Sequence, residues 1–556
     1  MIRYFQVLFF VLFACSQAPF AAAQTPRQQF NRTRAFDAQH YVIRTSFNRQ
    51  NKSISGETTV TLKPLKSGFN QITLDAAELK FESIVLEPET NLKFKTEADK
   101  VVIALDKDYA PRDSIKIRLK YSARPRKGVY FVDARRDGGT LLHDAQIWSQ
   151  GEAEESRFWF PSYDFPDDKA TTEQYLTVGR DESAIANGEL LETLPNADGT
   201  QTFHFKMSQP HSVYLTSFVV GNYVKFTDTY RNIPLNVYLY PGREYLYKQV
   251  FAGTREMMKT FEELTGVAYP FNKYDQTIVA EFNLGGMENV TATTLSDRDI
   301  FFADRNRFVV EDIISHELAH SWFGNFVTCR NWAELWLNEG FATFMEAVWR
   351  EKAYGRDDYL RKIADDRDAY FAEEARAGRR HGLFNRLARP DDSIFDATTY
   401  QKGGAVVHTL RETVGDQTFW QAINIYLNKH RLGNVETGDL QEVFENASKS
   451  DLDWFFNQWV YATGYPRLEI RYKYDTENKR LDLKVAQTQK AEDSTPAAFV
   501  LPLELEIATP NGVTRERISI TKREENFSLK LNEAPTGIAF DKDLKIPLKT
   551  LKVVNE

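Results

Sequence analysis

The sequence predicts a multidomain α+β protein: an N-terminal antiparallel β domain, a mainly helical middle domain and a C-terminal β-sandwich. Three observations carry this. The 556 residues exceed what one hydrophobic core sustains, and length alone points to about three or four domains. Short alternating runs fill residues 35–225 and return after 465, the period of strands with one buried face. Between them runs the longer period of helices.

The elements follow in order. "MIRYFQVLFFVLFACSQAPFAAAQ" has an early Arg3, an apolar run to Ala14 and an Ala21-Ala22-Ala23 stretch. Residues 1–23 therefore read as a signal peptide, too short for a membrane span. "LFAC" offers a competing lipoprotein site that would leave a lipidated Cys15, but Phe13 fits such a site poorly. Either route exports the chain to the periplasm or beyond, with membrane attachment only through a lipidated Cys15. Residues 24–226 form the first β domain, with "ETTVTLKPL", "VVIALD" and "DSIKIRLKYS" as strands. Residues 227–464 carry the helical texture of "YKQVFAGTREMMKTFEEL", "FATFMEAVWREKAYG" and "LQEVFENASKS". Residues 465–556 return to alternation in "RLEIRYKYD" and "LPLELEIAT", on the scale of a small β-sandwich.

Composition excludes several classes. Hydrophobic residues make up 42% and charged residues 27%, with a net charge of -8 mixed along the chain. No basic stripe could track a phosphate backbone, so nucleic acid is not an expected partner. Of the two Cys, cleavage after Ala23 leaves only Cys329, read as a small buried residue, so no disulfide framework exists. Past the leader no apolar stretch reaches about 18 residues, and the mature chain is expected to be soluble.

The chemistry concentrates in "EDIISHELAHSWFGN", residues 311–325, which reads as an amphipathic helix with Gly324 as its stop. His316 and His320 at i and i+4 share a face and can offer two imidazoles to one ion. Glu317 points roughly 100° around the helix, free to meet a water without ligating the metal. Ile313, Ile314, Leu318 and Ala319 can bury the remainder. HExxH arises by chance in about one such chain per hundred, so a surface pair of histidines competes until a third ligand appears. "NWAELWLNEGFATFMEAVW" supplies Glu339, 19 positions after His320, near the start of a second helix. A catalytic zinc takes three protein ligands and keeps one position open. Glu346, two turns further, reads first as a solvated surface carboxylate, with a partner of a metal ligand as the alternative. The other seven His, at 40, 143, 204, 211, 381, 408 and 430, have no ligand spacing and read as structural.

HExxH, 18 residues and then Glu within "LWLNEGFA" resembles the zinc signature of the gluzincin aminopeptidases, peptidase family M1. The resemblance implies a thermolysin-like zinc peptidase domain over 227–464, one Zn2+ per chain on His316, His320 and Glu339, and Glu317 as general base. Gly285-Gly286-Met287-Glu288-Asn289 resembles the family's exopeptidase motif, in which Glu288 pairs with a substrate's free α-ammonium; alone, the glycines would read as a turn. "SQGEAEESRFWFPSYDFPDD" resembles the segment that carries the second amine-binding residue, here Glu152, although Ser162, Tyr163 and Phe165 depart from the common pattern. By themselves Glu152, Glu154 and Glu155 would read as a solvated acidic turn. "ATTYQKGGAVVHTL" resembles the segment that makes Tyr400 the oxyanion donor. Many relatives add a C-terminal helical domain; its lack here would leave substrate access more open.

The function implied is a zinc aminopeptidase acting on peptides with a free N-terminal amine. Within the family the alternatives are an endopeptidase, against which Glu152 and Glu288 argue, and an epoxide hydrolase, whose site is completed by the helical domain. A non-catalytic scaffold is the third, and such proteins usually lose the ligands that are present here.

Overall fold

The computed structural model describes residues 30–376, 380–492 and 494–556; the expected signal peptide, residues 1–23, and Cys15 within it lie outside the described residues. Its first domain is β throughout. An eight-stranded sheet runs in the order Glu189–Pro195, Thr200–Ser212, Lys169–Gly179, Phe36–Asn48, Ser53–Pro64, Ile115–Ala123, Lys80–Leu86, Thr90–Asn91. Alternate residues are buried, as in Lys169–Gly179, so local period alone makes these strands visible in sequence. Pairing is antiparallel except between Phe36–Asn48 and Lys169–Gly179, which are parallel. Period cannot reveal that exception, because strand direction is set by the long connection between the two.

A four-stranded sheet, Ser183–Ala186, Phe218–Gly221, Gln146–Ser149 and Val129–Val132, faces the second domain. Trp148 Nε1 donates to the Ala280 carbonyl at 3.1 Å, and the Ala280 amide donates to Gln146 Oε1 at 3.1 Å. These bonds lock the strand leading to Glu152 against the segment leading to Gly286.

Strand Val224–Tyr230, which runs across the expected boundary at 227, pairs with Ile233–Leu239 in a mixed five-stranded sheet completed by Tyr274–Val279, Ala292–Ser296 and the edge strand Gly286–Met287. Helix Arg307–Ala319 packs against the edge strand of this sheet, and the second site helix, Trp336–Tyr354, packs against that helix. Ile314 and Leu318 of the first are fully buried, each contributing roughly 1.5–3 kcal/mol. That helix ends at Ala319, short of Gly324, because the chain folds back at once: Asn325 N donates to the His320 carbonyl at 2.9 Å and Gly324 N to that of Val327 at 2.8 Å. Lys169 Nζ from the first domain takes the Asn325 and Phe326 carbonyls at 3.1 and 3.2 Å, satisfying groups that a longer helix would have used.

Helix Gly403–Val414 crosses Trp336–Tyr354 where Gly340 meets Gly403, so closely that a Cβ on either would overlap the other's backbone. The third domain consists of a four-stranded and a three-stranded sheet with an aliphatic interior of Leu481, Leu483, Val485, Leu501, Leu503 and Leu505. Among the described residues no helix is long and apolar enough to cross a membrane.

Candidate metal centre

Three side chains from the two site helices converge. His316 Nε2 and His320 Nε2 lie 3.1 and 3.3 Å from the same oxygen of Glu339, and all three donor atoms fall within 4.8 Å of one another. The i, i+4 spacing explains the first two. His320, just past the helix end, keeps helical dihedrals and so stays on the face of His316. Glu339 sits in the first turn of its helix, and the close Gly340–Gly403 contact packs that turn. Each ring is oriented from behind: His316 Nδ1 faces Glu346 Oε1 at 2.7 Å, and His320 Nδ1 faces the Phe323 carbonyl at 2.9 Å. With Nδ1 committed outward, both Nε2 lone pairs are aimed at one point. Two nitrogens and a carboxylate oxygen, aimed and buried, suit a divalent transition metal.

Glu346 is thus no solvated surface carboxylate. It is held between His316 and Lys362 Nζ, 2.9 Å away, because two turns along a buried helix face return to the same side. Among the described residues none of the other seven His joins a group of metal-ligating side chains, and Cys329 is a buried free thiol.

Glu317 lies beside the trio. Its Oε2 is buried without a partner, and a Cβ at Gly286 would overlap its carboxylate. That contact explains the glycine: only a bare backbone lets the edge strand lie against the acid. Burial pushes Glu317 up to about 8, opposed by His316 and His320. Burial disfavours charge on His320 too, yet Glu288 and Glu339 outweigh it and lift the imidazole to about 9. Glu339 runs the other way, held down to about 2 by the two imidazoles despite its burial. The two imidazoles supply the positive charge that offsets burial of Glu339.

Glu152 and Glu288 complete the cluster. Glu152, Glu288 and Glu339 present donor atoms within 4.8 Å of one another, as do Glu288, Glu317 and His320. Burial raises both Glu152 and Glu288, with neighbouring carboxylates adding to it. Glu152 Oε1 has no partner, leaving an acid aimed at empty space. The turn around it is not solvated: Glu154 is buried, accepts from Trp332 Nε1 at 3.1 Å and from Arg32 at 2.6 Å, and pairs with Arg157. Tyr214 of the first domain places its hydroxyl 3.4 Å from Glu288 Oε1 and 3.3 Å from Asn338 Nδ2. Sequence reasoning missed Tyr214; nothing local separates it from 24 other Tyr, given 25 in the chain.

A cavity of about 440 Å3 joins these groups, lined by Glu152, Gly285, Gly286, Glu288, Glu317 and Tyr400 together with the three metal-capable side chains. Tyr400 stacks on His316, ring centroids 5.9 Å apart and planes 12° from parallel. Two residues of the Gly-Gly motif are turned elsewhere. Met287 is buried against the Gln150 amide, 3.1 Å from its sulfur, and Asn289 donates to Thr294 Oγ1 at 3.1 Å. Neither side chain is among those lining the cavity.

Known proteins carry the same pattern. Residues 250–459 match the model of the Peptidase family M1 domain, residues 37–215 that of the Peptidase M1 N-terminal domain, and residues 464–549 a domain of unknown function, DUF3458, with an Ig-like fold. The chain is 28% identical over 502 residues to Aminopeptidase 2 of Candida albicans, covering 87% of this chain and 53% of that protein. It is 31% identical over 360 residues to Aminopeptidase N of Streptomyces lividans, covering 62% and 41%. To Glutamyl aminopeptidase of Bos taurus it is 29% identical over 401 residues, covering 70% and 41%. The chain thus spans about half the length, or less, of these relatives.

Proposed function

The chain belongs to peptidase family M1, and on that premise we propose that it is a zinc aminopeptidase releasing N-terminal residues from peptides with a free amine. One observation carries the reading: two buried carboxylates, Glu152 and Glu288, abut a trio of donors that one metal ion can bridge. His316, His320 and Glu339 fit zinc in number and donor type. Bound there, zinc would supply Lewis-acid polarisation of the scissile carbonyl and lower the pKa of the attacking water.

The chain's own residues do the rest. Glu152 and Glu288 hold the α-ammonium, whose charge they need once they ionise in a buried site. That grip sets one distance from amine to metal ligands, so only the first peptide bond is presented for attack. Glu317 Oε2, with no other partner, takes the proton of the attacking water and returns it to the leaving amine. The Tyr400 hydroxyl donates to the carbonyl oxygen as it gains charge. We also propose export of the chain, supported by residues 1–23.

The amine reading is tested by pairing aminoacyl chromogens with their N-acetylated forms. Blocking the amine leaves two buried acids without their cation, and kcat/KM is expected to fall on the order of 10²-fold. Equal rates on both forms would reject it. Tyr400→Phe is expected to retain metal and lose about 2.7–4 kcal/mol of transition-state stabilisation, as other lost oxyanion donors do; near-normal kcat would remove Tyr400 from the mechanism.

A further inference from the structure

Tyr400 does not stand on an ordinary helix. It lies in a π-helical turn, Thr398–Lys402, an irregular geometry whose backbone donors are poorly served from within. Asp396 serves them. One of its carboxylate oxygens accepts from the amides of Thr398 and Thr399 at 3.1 and 2.9 Å. The other faces His381 Nε2 at 2.6 Å. The second ring nitrogen, Nδ1, faces the Gly382 carbonyl at 2.7 Å. Both ring nitrogens therefore lie within hydrogen-bond distance of an oxygen, which fixes the ring opposite Asp396. Glu373 takes the remaining amide of this start, Ala397 N, at 3.1 Å. At the far end Lys402 Nζ donates to the Ala462 carbonyl at 3.2 Å, and Gly403 lies against Gly340.

The turn is thus clamped at both ends, and its phenol lands over His316. The near clamp reaches no substrate: His381 and Asp396 line a separate cavity of about 210 Å3 that shares no lining residue with the metal-centre cavity. Because that space is already open, shortening or neutralising either side chain leaves no new void in close-packed core.

We propose that the hydrogen-bonded pair of His381 and Asp396 is a positioning pair that aims Tyr400 at the scissile carbonyl, acting on turnover through Tyr400 alone. The proposal rests on the aminopeptidase reading. A donor displaced by about 1 Å loses on the order of 10²-fold in rate, so a clamp this close has large leverage on kcat and little on binding.

A double-variant cycle on the zinc-loaded full chain tests it, with an aminoacyl chromogen as substrate. Asp396→Asn keeps the shape and an acceptor for Thr398 and Thr399 while removing the anion, and His381→Gln removes the ring that faces it. Each is expected to lower kcat at least about tenfold, with KM and bound metal within about twofold of the parent. In a Tyr400→Phe background the same substitutions are expected to change kcat less than about twofold, since the group they aim is gone. Having one substitution on each partner keeps the test alive if either fails to fold. Unchanged kcat, a rise in KM alone, or an undiminished effect in the Tyr400→Phe background overturns the proposal. Failure of the aminopeptidase reading itself would show earlier, as an inactive parent chain.

Discussion

Glu317→Gln is expected to keep stoichiometric metal and lose turnover by about two to four orders of magnitude, the span of a general base. The change is isosteric, so the contact with Gly286 persists. What disappears is a carboxylate oxygen that is buried, unpartnered and beside the metal-capable trio. No neighbour can replace it. Glu339 is engaged by both imidazoles, Glu346 by His316 and Lys362, while Glu152 and Glu288 are assigned to the amine. Elemental analysis and kcat on one preparation decide the matter. Activity within tenfold of the parent, with metal bound, would show that another group takes the proton.

Metal removal is the second large effect. A chelator is expected to abolish activity, and one equivalent of zinc to restore it. Glu339→Gln is expected to prevent that restoration, because the oxygen shared by both imidazoles then loses its charge. The sign with pH follows from the donors. Before a cation enters, His320 keeps its proton up to about 9, above its ordinary value near 6.5. Zinc must displace that proton, so its apparent affinity should tighten as pH rises from about 6.5 toward 9 and weaken below. Titration of stripped protein with zinc at several pH values checks this; affinity independent of pH across that window would exclude the imidazoles as ligands. Since ligand bound only to the folded state adds RT ln(1 + [L]/Kd), the rise in thermal midpoint on adding zinc should grow over the same range.

Much of the site was legible because its code is local. Spacing of four puts His316 and His320 on one face, and a short polar interval in a second apolar helix singles out Glu339. Glu346 lay within reach of the same logic: seven residues past Glu339, two turns along a face that proved buried, it had to meet whatever Glu339 met. The solvated alternative failed because burial of a helix face is not written in charge pattern alone. The contacts of Met287 with Gln150 and of Asn289 with Thr294 are likewise not written in the motif.

By itself the sequence determined the three textures, the family, the identity of the metal-capable donors and the presence of an acid beside them. These depend on periods of 2 and 3.6 and on residue types, properties that survive without knowing the fold. Only the tertiary structure decided that Glu152 and Glu288, from different domains and 136 positions apart in numbering, face one cavity. It alone set Tyr214 beside Glu288 and Tyr400 over His316. Such meetings depend on how sheet edges and helix faces pack, through bonds such as Trp148 to Ala280 and the bare contact of Gly340 with Gly403. Packing between distant segments has no period along the chain, and so leaves no local mark to read.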